Sequence, residues 1–142
     1  MTIVDGFMSD LIQDLRRDEG VKSYPYRDTE GILTIGVGRN LEDRGLSDEE
    51  IDLLLMNDLK WVVVDLDRNL PWWREMDSAR QRALANMCFQ LGITRLLGFK
   101  KMLSALEAGD FSAAAAEALD SRYAQQTPQR AERIAALIRG DQ

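Results

Sequence analysis

The sequence predicts an α+β fold that is mainly helical, with one small β-hairpin lobe near the N-terminus. From Ser47 onward the apolar residues recur at helical spacing, in stretches separated by Gly and Pro. Only residues 24–38 break that pattern, with aromatic and β-branched runs on either side of an Asp/Glu/Gly turn. Between the two regions, Ser47-Asp48-Glu49-Glu50 forms a capping box ahead of an apolar run, so a long helix starts where the hairpin lobe ends.

The elements follow in order. Residues 9–19 predict a helix: Leu11, Ile12 and Leu15 share a face, Ser9 is the expected N-cap and Gly20 the stop. Tyr24-Pro25-Tyr26 and the run from Ile32 to Gly38 flank Asp28-Thr29-Glu30-Gly31 and predict the hairpin. Gly36 and Gly38 point to a bend or a close backbone approach. The helix opened at Ser47 should run to about Asp67, despite Val62-Val63-Val64, and Pro71 marks a break. After Asp77-Ser78, the residues Ala79, Ala83, Leu84, Met87, Cys88 and Leu91 form one broad apolar face, which predicts a central buried helix ending at Gly92. Shorter helices are expected near 99–108 and over 111–119. Thr127-Pro128 opens a last one, to about Ile138.

Composition removes several chemistries. The chain has 142 residues, no His and one Cys, so Ser-His-Asp and Cys-His catalysis, His-bearing metal sites and an intrachain disulfide are excluded. Neither a metal nor an organic cofactor is expected. Proton chemistry then falls mainly to carboxylates. A formal charge of -6 argues against nucleic acid as a partner. The same charge sits awkwardly with an anionic bacterial envelope, unless cations such as Arg27, Arg122 and Arg130 cluster locally. No run approaches the ~20 apolar residues that span a bilayer, so membrane insertion is not expected. MTIVDGFMSD reads as lacking a signal peptide, which predicts accumulation in the cytoplasm.

The segment richest in chemistry is Arg17-Asp18-Glu19-Gly20 followed by the hairpin. It puts Glu19 at a helix C-terminus, whose partial negative charge favours the protonated form that a general acid needs. It puts a second carboxylate, Asp28, on the hairpin shortly after, and glycoside hydrolysis uses two such groups.

These residues carry a resemblance. DEG, YRDTEG and LTIGVG are similar to the N-terminal signature of the phage-type lysozymes of glycoside hydrolase family 24. Asn86-Met87-Cys88-Phe89-Gln90-Leu91-Gly92 resembles the family's central-helix segment. Ser121-Arg122-Tyr123 with Gln126-Thr127-Pro128-Gln129-Arg130-Ala131-Glu132-Arg133 resembles its C-terminal block. The resemblance implies a single lysozyme-like domain over 1–142. It would have a β lobe at about 20–46, a linking helix at about 48–67, and a helical lobe at about 71–138 that includes the N-terminal helix. It implies Glu19, Asp28 and Thr34 as the catalytic set, and cleavage of the β-1,4 bond between N-acetylmuramic acid and N-acetylglucosamine in peptidoglycan. Glu30, Phe89, Gln90 and Arg122 would contact substrate. Arg130 would reach Glu19, and Arg133 would reach Asp18. One departure is Arg39, where the family often has His. Asp58 is its expected partner.

The resemblance further implies a monomer, released to the periplasmic wall by a separate holin for host lysis. Competing readings are a lytic transglycosylase on the same bond, or a non-catalytic peptidoglycan-binding or phage-structural protein on the same scaffold. Trp72 and Trp73 are expected to pack a helix junction, and Cys88 to be an inert buried thiol.

Overall fold

The computed structural model describes residues 5–141. The first four residues, part of the stretch read for a leader, lie outside the described residues. The chain divides into two compact units, 1–52 and 53–142.

In the first unit, helix α1 (Asp5–Glu19) is followed by strands β1 (Lys22–Arg27), β2 (Leu33–Gly36) and β3 (Arg39–Asn40), and the short helix α2 (Leu41–Arg44). Helix α1 is already formed by Asp5, so Ser9 lies inside it and is not its N-cap. The strands form one antiparallel sheet in the order β1-β2-β3, so the predicted hairpin gains a third strand. Thr34 is its hinge in register, opposite Tyr26 on one side and Asn40 on the other. The β1 ladder is irregular between Lys22 and Tyr26, where Pro25 has no N–H to give. Asn40 caps α2, accepting the Asp43 N–H at 2.9 Å.

Helix α3 (Asp48–Asn69) begins on the predicted capping box. The Ser47 N–H donates to Glu50 Oε1 at 2.8 Å, and the Glu50 N–H donates to Ser47 Oγ at 3.2 Å. The Glu50 carboxylate also takes Arg39, whose Nη1 donates to Oε1 at 2.7 Å. Arg39 is therefore paired with the first turn of α3 and not with Asp58, two turns further on. Arg39, and then Ser47, hold the Glu50 carboxyl at about 2, well below the usual carboxylate range.

The second unit contains the rest of α3 and a 3-10 turn (Pro71–Glu75). Then come α4 (Ser78–Leu91), α5 (Ile93–Leu97), α6 (Lys100–Ala108), α7 (Phe111–Leu119), α8 (Arg122–Gln126) and α9 (Pro128–Arg139). Helix α4 is the central element the spacing predicts: Ala79, Ala83, Leu84, Met87 and Cys88 are all buried. Burial pushes the Cys88 thiol up, away from the reactive thiolate. The core continues through Leu66, Leu96, Met102, Leu106, Ile134 and Ile138. Trp73 packs the junction after α3, its indole Nε1–H donating to Asp67 Oδ1 at 2.7 Å. Arg80 seals the far end of α9: its Nε donates to the Ile138 carbonyl at 2.6 Å, and its guanidinium lies 3.9 Å from the Phe111 ring centroid.

Candidate active site

Glu19 is the last residue of α1. Gly20 then turns the chain at φ 78°, its N–H closing on the Arg16 carbonyl at 3.0 Å. A positive φ costs glycine nothing, so the helix stops there and the Glu19 side chain stands at its free end. That carboxylate lies against Gly38, in the turn from β2 to β3. A Cβ built on Gly38 would come within 2.9 Å of Glu19 Oε2. The close backbone approach expected of the Gly-x-Gly turn is thus an approach to Glu19, and Gly38 is a site residue whose specific partner the spacing did not reveal.

Asp28 follows β1 and organises the turn to β2. Its Oδ1 accepts the N–H groups of Glu30 at 2.8 Å and Ile32 at 2.9 Å. Its own N–H donates to the Ile32 carbonyl at 3.0 Å. Asp favours this position because its short side chain reaches the backbone two residues on. Among the described residues Oδ2 takes no hydrogen bond, so one oxygen builds the turn and the other is free for chemistry. Thr34 is buried, and its Oγ1 donates to the Ile32 carbonyl at 2.8 Å. That use of its proton fixes the hydroxyl rotor and leaves oxygen lone pairs to accept. Arg27, beside Asp28, is tied down by Glu42 and by the Gly31 carbonyl, each at 3.0 Å.

The remaining predicted residues divide between the units. Glu30 is exposed in the turn, and Asp18 accepts from Arg17 on its own helix at 3.0 Å. In the second unit Phe89 is 44% exposed at the end of α4. Gln90 beside it keeps a buried Oε1 without a partner. Arg130 Nε donates to Asn86 Oδ1 at 3.0 Å, linking α9 to α4. Arg130 and Arg133 line a cavity of about 540 Å³ with Arg82 and Asn86. Arg82 was not singled out from the sequence, although it lies four residues before Asn86 on the same helix face. Arg122 opens α8 and lines a different cavity, with Phe99 and Tyr123. Glu19, Asp28 and Thr34 therefore share one unit, while Phe89, Gln90, Arg122, Arg130 and Arg133 belong to the other.

Comparison with known proteins agrees with the motifs. The family model for phage lysozyme matches residues 16–139. The chain is 28% identical to the probable T4-type lysozyme 1 of Dictyostelium discoideum, over 92% of this chain and 94% of that protein. It is 35% identical to the SAR-endolysin of Escherichia phage Mu, over 78% of this chain and 65% of that one. It is 33% identical to the pre-baseplate central spike protein Gp5 of Enterobacteria phage T4. That match covers 90% of this chain, which spans only 27% of the spike protein. With a match running from the end of α1 to the end of α9, the chain belongs to the phage lysozyme family.

Proposed function

We propose that Glu19 and Asp28 act as a pair in hydrolysing the β-1,4 bond between N-acetylmuramic acid and N-acetylglucosamine of bacterial peptidoglycan. Membership of the family makes the chain a glycoside hydrolase of the muramidase type. The observation that carries the division of labour is the seat of the Glu19 carboxylate against Gly38, in the β2–β3 turn of the unit that also holds Asp28 and Thr34. Glu19 is the proton donor to the glycosidic oxygen. Asp28, through its free Oδ2, directs the attacking water, and the fixed Thr34 hydroxyl accepts from that water. An inverting course is proposed, which would require the two carboxyls to lie ~6.5–9.5 Å apart with a water between them.

Phe89, Gln90, Glu30 and Arg122 are proposed to contact the glycan. Arg130 and Arg133 are proposed to support Glu19 and Asp18. We further propose that the protein acts as a monomer on the periplasmic wall, after release by a separate holin. The endolysin relative supports peptidoglycan as the substrate. Among the described residues no helix is long and apolar enough to cross a membrane.

The test is Glu19→Gln, which keeps shape and hydrogen bonding but has no proton to give. The variant should melt as the parent does and lose at least ~99% of its lysis of chloroform-treated Gram-negative cells, the loss of a general acid costing ~10²–10⁴-fold. Lysis at a tenth of the parent rate or more would remove Glu19 from the role. The product distinguishes the mechanism: a reducing end of inverted anomeric configuration supports water attack, and an anhydro-muramic end would make the enzyme a transglycosylase.

A further inference from the structure

The turn that meets Glu19 has little of its own to hold it in place. It runs from Gly36, the last residue of β2, to Arg39, the first of β3. Both its glycines lie at positive φ, 68° at Gly36 and 65° at Gly38. Glycine permits that shape but offers no side chain to fix it. The ladder behind the turn is short. Strand β3 has two residues, and its register with β2 rests on Ile35 opposite Arg39 and Thr34 opposite Asn40. The contact with Glu19 is nonetheless close. Glu19 Oε2, Cδ and Cγ lie 2.9, 3.1 and 3.3 Å from the Cβ position of Gly38, so the α-hydrogen pointing that way faces the carboxylate. A turn displaced outwards would leave Glu19 free to change rotamer.

Both residues of β3 fasten the turn from outside. Asn40 caps α2. Arg39, next to Gly38 in the chain, reaches the first turn of α3 with both prongs of its guanidinium. Nη1 donates to Glu50 Oε1 at 2.7 Å, and Nη2 lies 2.5 Å from Glu50 Oε2. Nη1 also donates to the Gly45 carbonyl at 3.3 Å. Glu50 accepts the Ser47 N–H as well, so its carboxylate is tied to the helix end and does not swing free. The Arg39 and Glu50 side chains are 27% and 37% exposed, against 63% and 48% for Arg27 and Glu42 in the same unit. Exposed ion pairs contribute little, but a two-pronged arginine–carboxylate pair with restrained partners sets direction as well as distance.

We infer that Arg39 and Glu50 are positioning residues for the proton donor: their two-pronged pair holds the Gly36–Gly38 turn against Glu19 and so sets where that carboxylate stands. The consequence for catalysis rests on the hydrolase reading above, and the seat of Glu19 rests on the geometry alone. Both residues act through Gly38 and not on the glycan. A misplacement of ~1 Å at a reacting group can cost about 10²-fold in rate. One partly exposed ion pair contributes far less to folding. Loss of the pair should therefore show in turnover more than in melting.

The test compares three variants of the full chain. Arg39→Gln removes the pair, and Arg39→Lys keeps the charge without the fork. Arg74→Gln removes the two-pronged pair with Asp67 in the helical unit and controls for stability alone. Rates of reducing-end release from purified peptidoglycan, over a range of substrate concentrations, give kcat and KM. NMR cross-relaxation between the Glu19 γ-protons and the Gly38 α-proton reads the seat without substrate. Arg39→Gln should lower kcat by ~10–100-fold, change KM by less than about twofold, and lose the cross-peak. Arg39→Lys should recover melting temperature more than kcat, and it carries both measurements should Arg39→Gln fail to fold. Arg74→Gln should melt earlier yet keep the parent's kcat and cross-peak. A kcat for Arg39→Gln within about twofold of the parent would overturn the inference. So would a cross-peak that persists in Arg39→Gln, a Lys variant with full kcat, or an equal loss of kcat in Arg74→Gln. The two readings fail separately. Full activity of Glu19→Gln would sink the hydrolase reading, while loss of the cross-peak in Arg39→Gln would still show that the pair seats Glu19. A persistent cross-peak beside an inactive Glu19→Gln would sink the positioning role and leave the hydrolase reading standing.

Discussion

Among the described residues, only Thr34 is buried before residue 53, whereas the apolar core lies entirely after it. The strand-bearing unit keeps its shape through polar links: Asp28 across its turn, Asn40 on α2, and Ser47 and Arg39 on Glu50. The helical unit keeps its shape through packed aliphatic side chains around α4, with polar groups such as Arg80 and Asp67 only closing its ends. Hydrogen bonds are worth ~0.5–1.5 kcal/mol each, net of water, and a fully buried aliphatic side chain ~1.5–3 kcal/mol. The difference teaches where function can be accommodated. The carboxylates proposed to work in water sit on a frame that is itself exposed and hydrogen-bonded. The apolar packing belongs to the other unit.

The comparison breaks most visibly at Leu84, which is 1% exposed at the centre of α4. Leu84→Ala should cost about 2–5 kcal/mol, read by denaturant or thermal unfolding. A cost below ~1 kcal/mol would mean that the helical unit does not depend on its core as described.

Asp28 gives an intermediate effect and separates two roles of one side chain. Asp28→Ala removes the acceptor of two turn N–H groups and should cost about 1–3 kcal/mol as well as activity. Asp28→Asn keeps an acceptor oxygen, so it should cost less than ~1 kcal/mol while still lowering the lysis rate by ~10²-fold or more. An Asn variant as active as the parent would reduce Asp28 to a turn residue.

The smallest effect is a matter of pH. The Glu50 carboxyl is lowered to about 2 by Arg39 and Ser47, so its contribution is complete above its ordinary value of 4.5 and is lost as pH falls towards 2. Glu50→Gln should therefore be less stable than the parent at pH 6, with the gap closing across that acid window. Asp67 is lowered to about 2 by Arg74 and then Trp73, so Asp67→Asn should close its own gap over the same range in the helical unit. Thermal melts from pH 6 to 2 would show this. A gap for Glu50→Gln that stays constant with pH would mean that the residue acts through packing rather than charge.

Much of this was legible in local sequence, because it depends on residues a few positions apart. The capping box at Ser47–Glu50, the Asp28 turn, the buried stripe of α4 and Pro128 opening α9 are all of this kind. What sequence left open depends on partners brought together by folding. Arg39 chose Glu50 over Asp58 because a capping carboxylate still has acceptor capacity, and the strand end delivers Arg39 to that turn. Arg80 reaches a carbonyl 58 residues away, which no local pattern announces. The third strand is only two residues long, too short for any periodicity to show. In the candidate site, Glu19, Asp28 and Thr34 came from spaced motifs, but the contact of Glu19 with Gly38 needed coordinates.

That contact also bears on how the protein can be engineered. Replacing glycine with alanine is a common route to heat tolerance, since it removes freedom from the unfolded chain. Gly6, in α1 with open space around its Cβ position, admits it. Gly38 does not: at φ 65° a methyl group is strained, and the atom that would have to move aside is Glu19 Oε2, at the flexible tip of its side chain. The displacement itself would be cheap. Gly38→Ala would therefore lose stability to backbone strain and, at the same time, move the carboxylate proposed as the proton donor.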